Sequence, residues 1–236
     1  MSFEFNIAGN SGCELTLNNN IVKKTSPNLN YNKRLLNQCA KQRQFTNNIL
    51  RAPKVYNEGI KHGKFFFEME LVPYKTFDTF FITATKQSLD NIAEKIILFI
   101  KSNISGTMTL ERDIIVNKFE KTKKDIRVRR NIDLSYLNEV FYSLGQDLQV
   151  PSGYCHGDLT FSNLLLEGQD IVVLDFLDTY LDTPLQDIVK LKQDTKYFWS
   201  LKRLKNHTDK LKLKQCLKYI DRKIDLEFSN YPYYEE

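Results

Sequence analysis

Nine glycines and six prolines in 236 residues are too few for long flexible linkers or a collagen-like repeat. Cysteine is equally sparse. Cys13, Cys39, Cys155 and Cys216 lie far apart, and no pair has the CxxC spacing of a zinc or redox motif. Buried or free thiols in a reducing cytoplasm are the expectation. Only three histidines occur, and His62 and His207 have no metal-ligating neighbours in sequence. No apolar run is long enough to cross a bilayer: the best stretch, around Ile92–Ile104, is broken by Glu94, Lys95 and Lys101. The start, MSFEFNIAGN, has neither a basic n-region nor an apolar h-region, so no signal peptide is expected. Charge of one sign is not in large excess either. Lys plus Arg is 34 and Asp plus Glu is 29, a net +5 that permits an anionic partner without requiring nucleic acid.

What is present is an ordinary globular composition, 42% hydrophobic and 27% charged. The first third is β-rich. Phe3, Phe5 and Ile7 alternate with polar residues, Gly9–Gly12 makes a turn, and Cys13, Leu15 and Leu17 resume the alternation. Asn18-Asn19-Asn20 turns the chain again, and Ile21–Lys24 forms a third strand of an antiparallel meander. Residues Asn30 to Phe45 favour a helix. A short strand at 53–56, a turn at Asn57-Glu58-Gly59 and a buried strand ending at Pro73 follow. Beyond Pro73 helical spacing dominates, with helices expected after Ser88, over 134–148 and around 213–224. Short strands are expected at Leu164–Leu166 and Ile171–Leu174.

The chemistry concentrates in CHGDLTFSNLLLEGQDIVVLDFLD, residues 155–178. It contains His156-x-Asp158-x-x-x-x-Asn163, and Asp175 follows an apolar strand twelve residues on. Asp158 and Asn163 share one short loop, and Asp175 at a strand end can reach the same point. Carboxylate and amide oxygens suit Mg²⁺, and an uncommitted carboxylate can orient and deprotonate an alcohol. Phosphoryl transfer needs that set, since positioning and charge neutralisation supply most of its catalysis. The strings His-Gly-Asp-Leu-Thr-Phe-Ser-Asn and Asp-Phe-Leu parallel the H-R-D-L-x-x-x-N and D-F-G of protein kinases.

With Gly157 where protein kinases carry Arg, this segment resembles the aminoglycoside phosphotransferase and choline kinase family. Thr183-Pro184-Leu185-Gln186-Asp187 is similar to that family's D-P-x-x-D, with Thr183 replacing Asp. The resemblance implies an α+β, protein-kinase-like fold of two lobes. Residues 1–72 would be a small antiparallel-sheet nucleotide-binding lobe, and 73–236 a mainly helical catalytic and substrate lobe. It implies ATP and Mg²⁺ as cofactors and a small-molecule hydroxyl as acceptor, with no membrane partner. Asp158 would be the catalytic base, Asn163 and Asp175 the metal ligands, and His156 and Asp187 supports of the catalytic loop. Gly9 and Gly12 would lie in the hairpin over the phosphates. Glu70 and Val72 would border adenine at the hinge, and Lys24, with Lys23 as the alternative, would contact phosphate.

The segment 30–45 contains no acid to pair with that lysine, so Gln38, Gln42 or Gln44 would have to orient it. A catalytically inactive nucleotide sensor is the rival from another class. Basic clusters at Lys118–Arg130 and Lys190–Lys214, with Phe198 and Trp199 between cations, keep a nucleic-acid reading as a second rival. For the acceptor, a sugar or sugar-derived intermediate of surface-polysaccharide synthesis, an amino alcohol and an aminoglycoside are the candidates, and the short C-terminal part favours a smaller metabolite over a bulky cationic antibiotic.

Overall fold

A computed structural model of the chain describes residues 6–8, 12–130, 132–177, 179, 181–204 and 209–234. Its first part is built on the period-two alternation of the N-terminal third. Strands β1 (Asn6–Ala8), β2 (Glu14–Asn18) and β3 (Ile21–Thr25) form an antiparallel meander. Asn19 and Asn20 make the β2–β3 turn at φ +45° and +64°, a conformation Asn tolerates better than most residues. Helix α1 (Asn32–Gln44) follows, then β4 (Val55–Lys61) and β5 (Lys64–Glu70). The sheet order is β1-β2-β3-β5-β4. Leu35 and Cys39 of α1 pack on Phe65, Phe67 and Met69 of β5 and on Cys13, a small core of its own.

The turn expected at Asn57-Glu58-Gly59 is instead strand. Gly59 sits under the Phe66 ring, where a Cβ would meet ring carbons at 3.3 Å. The reversal falls at His62 and Gly63, φ +50° and +77°. Gly in a strand marks a close approach here, rather than a break.

The second part holds β6 (Lys75–Thr76), α2 (Phe77–Thr83), α3 (Lys86–Ser102), β7 (Ile104–Glu111), α4 (Arg112–Arg130), α5 (Asn138–Tyr142) and β8 (Asp147–Gly153). Strands β9 (Leu164–Glu167) and β10 (Asp170–Val173) and helices α6 (Leu185–Thr195) and α7 (Lys210–Phe228) complete it. Helices α2, α3 and α7 enclose a core through Phe81, Ile92, Ile96, Leu217, Ile220 and Ile224, all essentially inaccessible. No helix among the described residues is long and apolar enough to cross a membrane. All four cysteines are buried free thiols.

The helix expected over 134–148 is reduced to a 3-10 turn at Ser135–Leu137 and the five residues of α5. Leu148 and Val150 belong to β8, which pairs with β7. Val140 is exposed, and Phe141 stacks on Phe119 of α4 at 4.0 Å. The apolar spacing was therefore shared between two surfaces, and a non-local strand partner outweighed helix propensity.

Ties between the parts include a strand-like pairing and an aromatic contact. Arg51 N–H donates to Ile171 O (3.2 Å), and Val173 N–H donates to Arg51 O (2.9 Å), so the linker before β4 pairs with β10. Phe45, at the end of α1, packs on Phe176 at 5.1 Å.

Candidate active site

Asp158, Asn163 and Asp175 meet in one cavity of about 260 Å³, which Lys24, Gln38, Arg34 and Lys190 also line. Each arrives from a different element. Asp158 lies on the loop after β8, Asn163 at the end of a 3-10 turn before β9, and Asp175 just beyond β10. The Leu174 N–H donates to Asn163 O (2.9 Å), tying the two strand ends together. Asp175 holds φ +59°, a left-handed conformation that a non-glycine residue adopts at a cost. Asn163 Nδ2 donates to Asp158 Oδ2 (3.0 Å) and to Asp158 O (2.8 Å).

Lys24 is buried on the inner face of β3, and its Nζ donates to Asp175 Oδ1 at 2.7 Å. Lys23 points to the opposite face, where it pairs with Glu68 (3.3 Å) and lies over the Phe66 ring. It borders a concavity of about 820 Å³ on the outer sheet surface, away from Asp158 and Asp175. Gln38, on α1, is buried in the cavity with Lys24, and its Oε1 has no hydrogen-bond partner. Gln42 is committed elsewhere, donating to Pro53 O at 2.9 Å.

The loop itself is held from beneath. Asp187 accepts from the His156 and Gly157 amides at 2.7 and 2.8 Å. Burial pushes its carboxyl up to about 7, against the pull of those two amides. His156 is fully buried, and burial lowers it to about 4, so the ring is neutral. Its Nδ1 accepts from the Asp158 amide (3.3 Å), which leaves Nε2–H to donate to Leu174 O (2.9 Å). The ring packs on Phe176 at 4.6 Å. Gly157 holds φ +91°, and a Cβ there would lie 2.5 Å from Thr179 Cγ2. The Arg of the protein-kinase motif has no room at this position.

A second cavity, also about 260 Å³, runs from Asp175 between the sheet and the strands below it. Leu15 and Val22 roof it, Leu165 and Leu174 floor it, and Glu70, Leu71 and Val72 close its inner wall. The Leu71 amide is spent on Asn20 O (2.9 Å), and the Glu70 carboxylate is paired with Arg51 (2.9 Å). The Glu70 side chain therefore braces the wall, and a planar base would have to meet backbone groups other than the Leu71 N–H. Gly12 lies at φ +76° on the surface before β2 and lines neither cavity. Gly9 falls outside the described residues.

Three residues escaped the sequence reading. Asp194 is buried and accepts from Phe161 N–H (2.6 Å) and from Ser200 N–H and Oγ (both 2.8 Å). Burial raises its carboxyl. Lys190 Nζ lies 3.0 Å from Asp158 Oδ1, and Arg34 lines the cavity from α1. The signal for the first two was spacing: Asp187, Lys190 and Asp194 recur at i, i+3 and i+7 on α6, hence on one face.

A family model described as the phosphotransferase enzyme family matches residues 19–203. The chain belongs to that family. Its matched region spans β3 through α6 and so takes in every side chain of the central cavity. The fold is also that of solved aminoglycoside phosphotransferases. The streptomycin–ATP ternary complex of APH(2")-IIa superposes with a TM-score of 0.63 at 16% identity, over 97% of this chain and 79% of that one. A thermostable mutant of APH(4)-Ia gives 0.59 at 13% identity, over 97% and 80%. APH(3'')-Id from Streptomyces rimosus gives 0.53 at 13%, over 94% and 92%. No curated protein sequence matches the chain.

The oxygen donors suit a hard divalent cation. Asp175 and Asn163 bring a carboxylate and an amide to one cavity, and Lys24 engages only Oδ1 of Asp175. Asp158, whose Oδ2 is held by Asn163, lines the same cavity with its side chain partly open to solvent.

Proposed function

We propose that the protein transfers the γ-phosphate of ATP to a hydroxyl of a small molecule, with Mg²⁺. The observation that carries this reading is the convergence of Lys24, Asp158, Asn163 and Asp175 on one cavity at the end of an apolar slot. The slot takes the base against residues 70–72, and the phosphates run toward Asp175. Asn163 and Asp175 would hold Mg²⁺, which would supply charge neutralisation at the phosphates. Lys24 steadies the phosphates once it exchanges Asp175 for them. Asp158 orients the acceptor hydroxyl and accepts its proton as the new O–P bond forms and ADP leaves. His156 and Asp187 act through the loop backbone and touch no substrate. On this reading residues 1–72 form the nucleotide lobe and 73–236 the catalytic and acceptor lobe, in a cytoplasmic enzyme whose thiols stay reduced.

The test is ADP release from Mg·ATP across a panel of sugars, amino alcohols and aminoglycosides. Asp158→Asn should lower kcat by about 10²-fold or more while leaving nucleotide affinity within about threefold. Tight metal-independent ATP binding with no turnover of any acceptor would instead identify a nucleotide sensor.

A further inference from the structure

The central cavity opens, on the side away from the nucleotide slot, into a third cavity of about 650 Å³. The two share Arg34, Leu177 and Lys190, so the opening passes directly in front of Asp158. Gly157 also lines the larger cavity, which places it against the loop that carries Asp158. A hydroxyl can reach Asp158 from this side, since the slot on the other side leads to residues 70–72.

Among its described lining residues the charge is of one sign. Lys33 and Arg34 from α1, Lys118 from α4 and Lys190 from α6 line it. Among the described residues, no carboxylate does. These cations come from three separate helices, so they are not one solvated helix face. Lys190 is paired with Asp158, but both side chains are about a third exposed, and such a pair contributes only ~0.2–1 kcal/mol. An incoming anion can therefore draw Lys190 away and release Asp158 for the hydroxyl. A cationic acceptor would meet three further positive charges before reaching Asp158.

Resting on the kinase reading above, we infer that the acceptor is an anionic small molecule: an alcohol bearing a phosphate or carboxylate group. Arg34, Lys33 and Lys118 hold the anionic group, and the hydroxyl reaches Asp158 past Gly157. The acceptor oxygen bonds to the γ-phosphorus, the bond to the ADP oxygen breaks, and the hydroxyl proton goes to Asp158. The preference is opposite to that of a site for polycationic antibiotics, although the fold is shared with the aminoglycoside phosphotransferases.

A matched trio tests this: glycerol, glycerol 3-phosphate and 3-amino-1,2-propanediol, each titrated into the intact chain saturated with Mg·AMP-PNP. AMP-PNP fills the nucleotide slot, so residual anion binding reports on the outer cavity. The phosphate ester should bind at least about tenfold tighter than either partner, a difference of ~1.4 kcal/mol. The double variant Lys33→Gln/Lys118→Gln should reduce that advantage below about threefold, with AMP-PNP affinity reporting that the fold is intact. Equal binding of the three, tighter binding of the amine, or an advantage unchanged in the double variant overturns the inference. Failure of the kinase reading looks different. AMP-PNP then does not bind, and the trio, titrated alone, still ranks the outer cavity.

Discussion

At the scale of single residues, the site depends on which of two neighbouring side chains faces inward. Lys23 and Lys24 are chemically identical, and strand alternation sends one to each face of β3. Replacing Lys24 by Met should raise KM for ATP about tenfold or more, whereas Lys23→Met should leave it within about twofold. Steady-state kinetics at varied ATP separates the two. Gln38 is a second such point. Its buried Oε1 has no partner, and Lys24 has turned to Asp175. Gln38→Glu would supply a carboxylate near Lys24 and loosen its hold on Asp175, so KM for Mg·ATP should fall several-fold. A rise in KM would show that the neutral amide is the better partner. Gly157 has no such latitude. Gly157→Ala forces a Cβ into Thr179 at a positive φ, a conformation that costs about 1–3 kcal/mol. Loss of turnover by about tenfold or more, with nucleotide binding retained, is the expected outcome.

At the scale of elements, α6 is the scaffold of the site. One face carries Asp187 under the loop amides, Lys190 beside Asp158 and Asp194 under the next turn. Asp194→Ala would strand three buried donors, two amides and a hydroxyl. Unfolding in urea should show a loss of about 2–4 kcal/mol, more than a surface carboxylate would give. Element-level legibility in the sequence was uneven for a physical reason. The β2–β3 hairpin, α1 and α7 carry their own periodicity, and all three were legible. The segment 134–153 was not, because Leu148 and Val150 gain their burial from β7, some forty residues away in the chain. Asp187 was readable from the motif it ends. Asp194 was not, because a single aspartate on a helix carries no mark of the three donors that surround it.

At the scale of the whole molecule, two buried groups make opposite contributions to stability against pH. His156 lies at about 4 instead of its ordinary 6.5, so the unfolded chain takes up that proton first. Its contribution is present above pH 6.5 and is lost as pH falls toward 4. Asp187 lies at about 7 instead of 3.8, so the native state takes up that proton first. Its contribution is present below pH 3.8 and is lost as pH rises through 7. Between about pH 4 and 6.5 the two effects oppose each other. Relative to the parent chain, Asp187→Asn should make stability fall on acidification, by at most ~1.4 kcal/mol per pH unit. His156→Gln should make it rise. Urea midpoints across that range measure both slopes, and parallel profiles for the two variants would contradict the assignment.

The sequence by itself determined the catalytic-loop string, the meander and α1, because each depends on residues close together in the chain. The order and spacing of His156, Asp158, Asn163, Asp175 and Asp187 carried the family resemblance without any knowledge of contacts. Only the tertiary structure decided that Lys24 meets Asp175, 151 positions away, and that Gln38 shares their cavity. It also decided the charge of the outer cavity. Lys33 and Arg34, Lys118, and Lys190 lie far apart along the chain, on three separate helices. They become one field only when three helices are packed around a single opening, because electrostatic focusing depends on distance in space and not on distance in sequence.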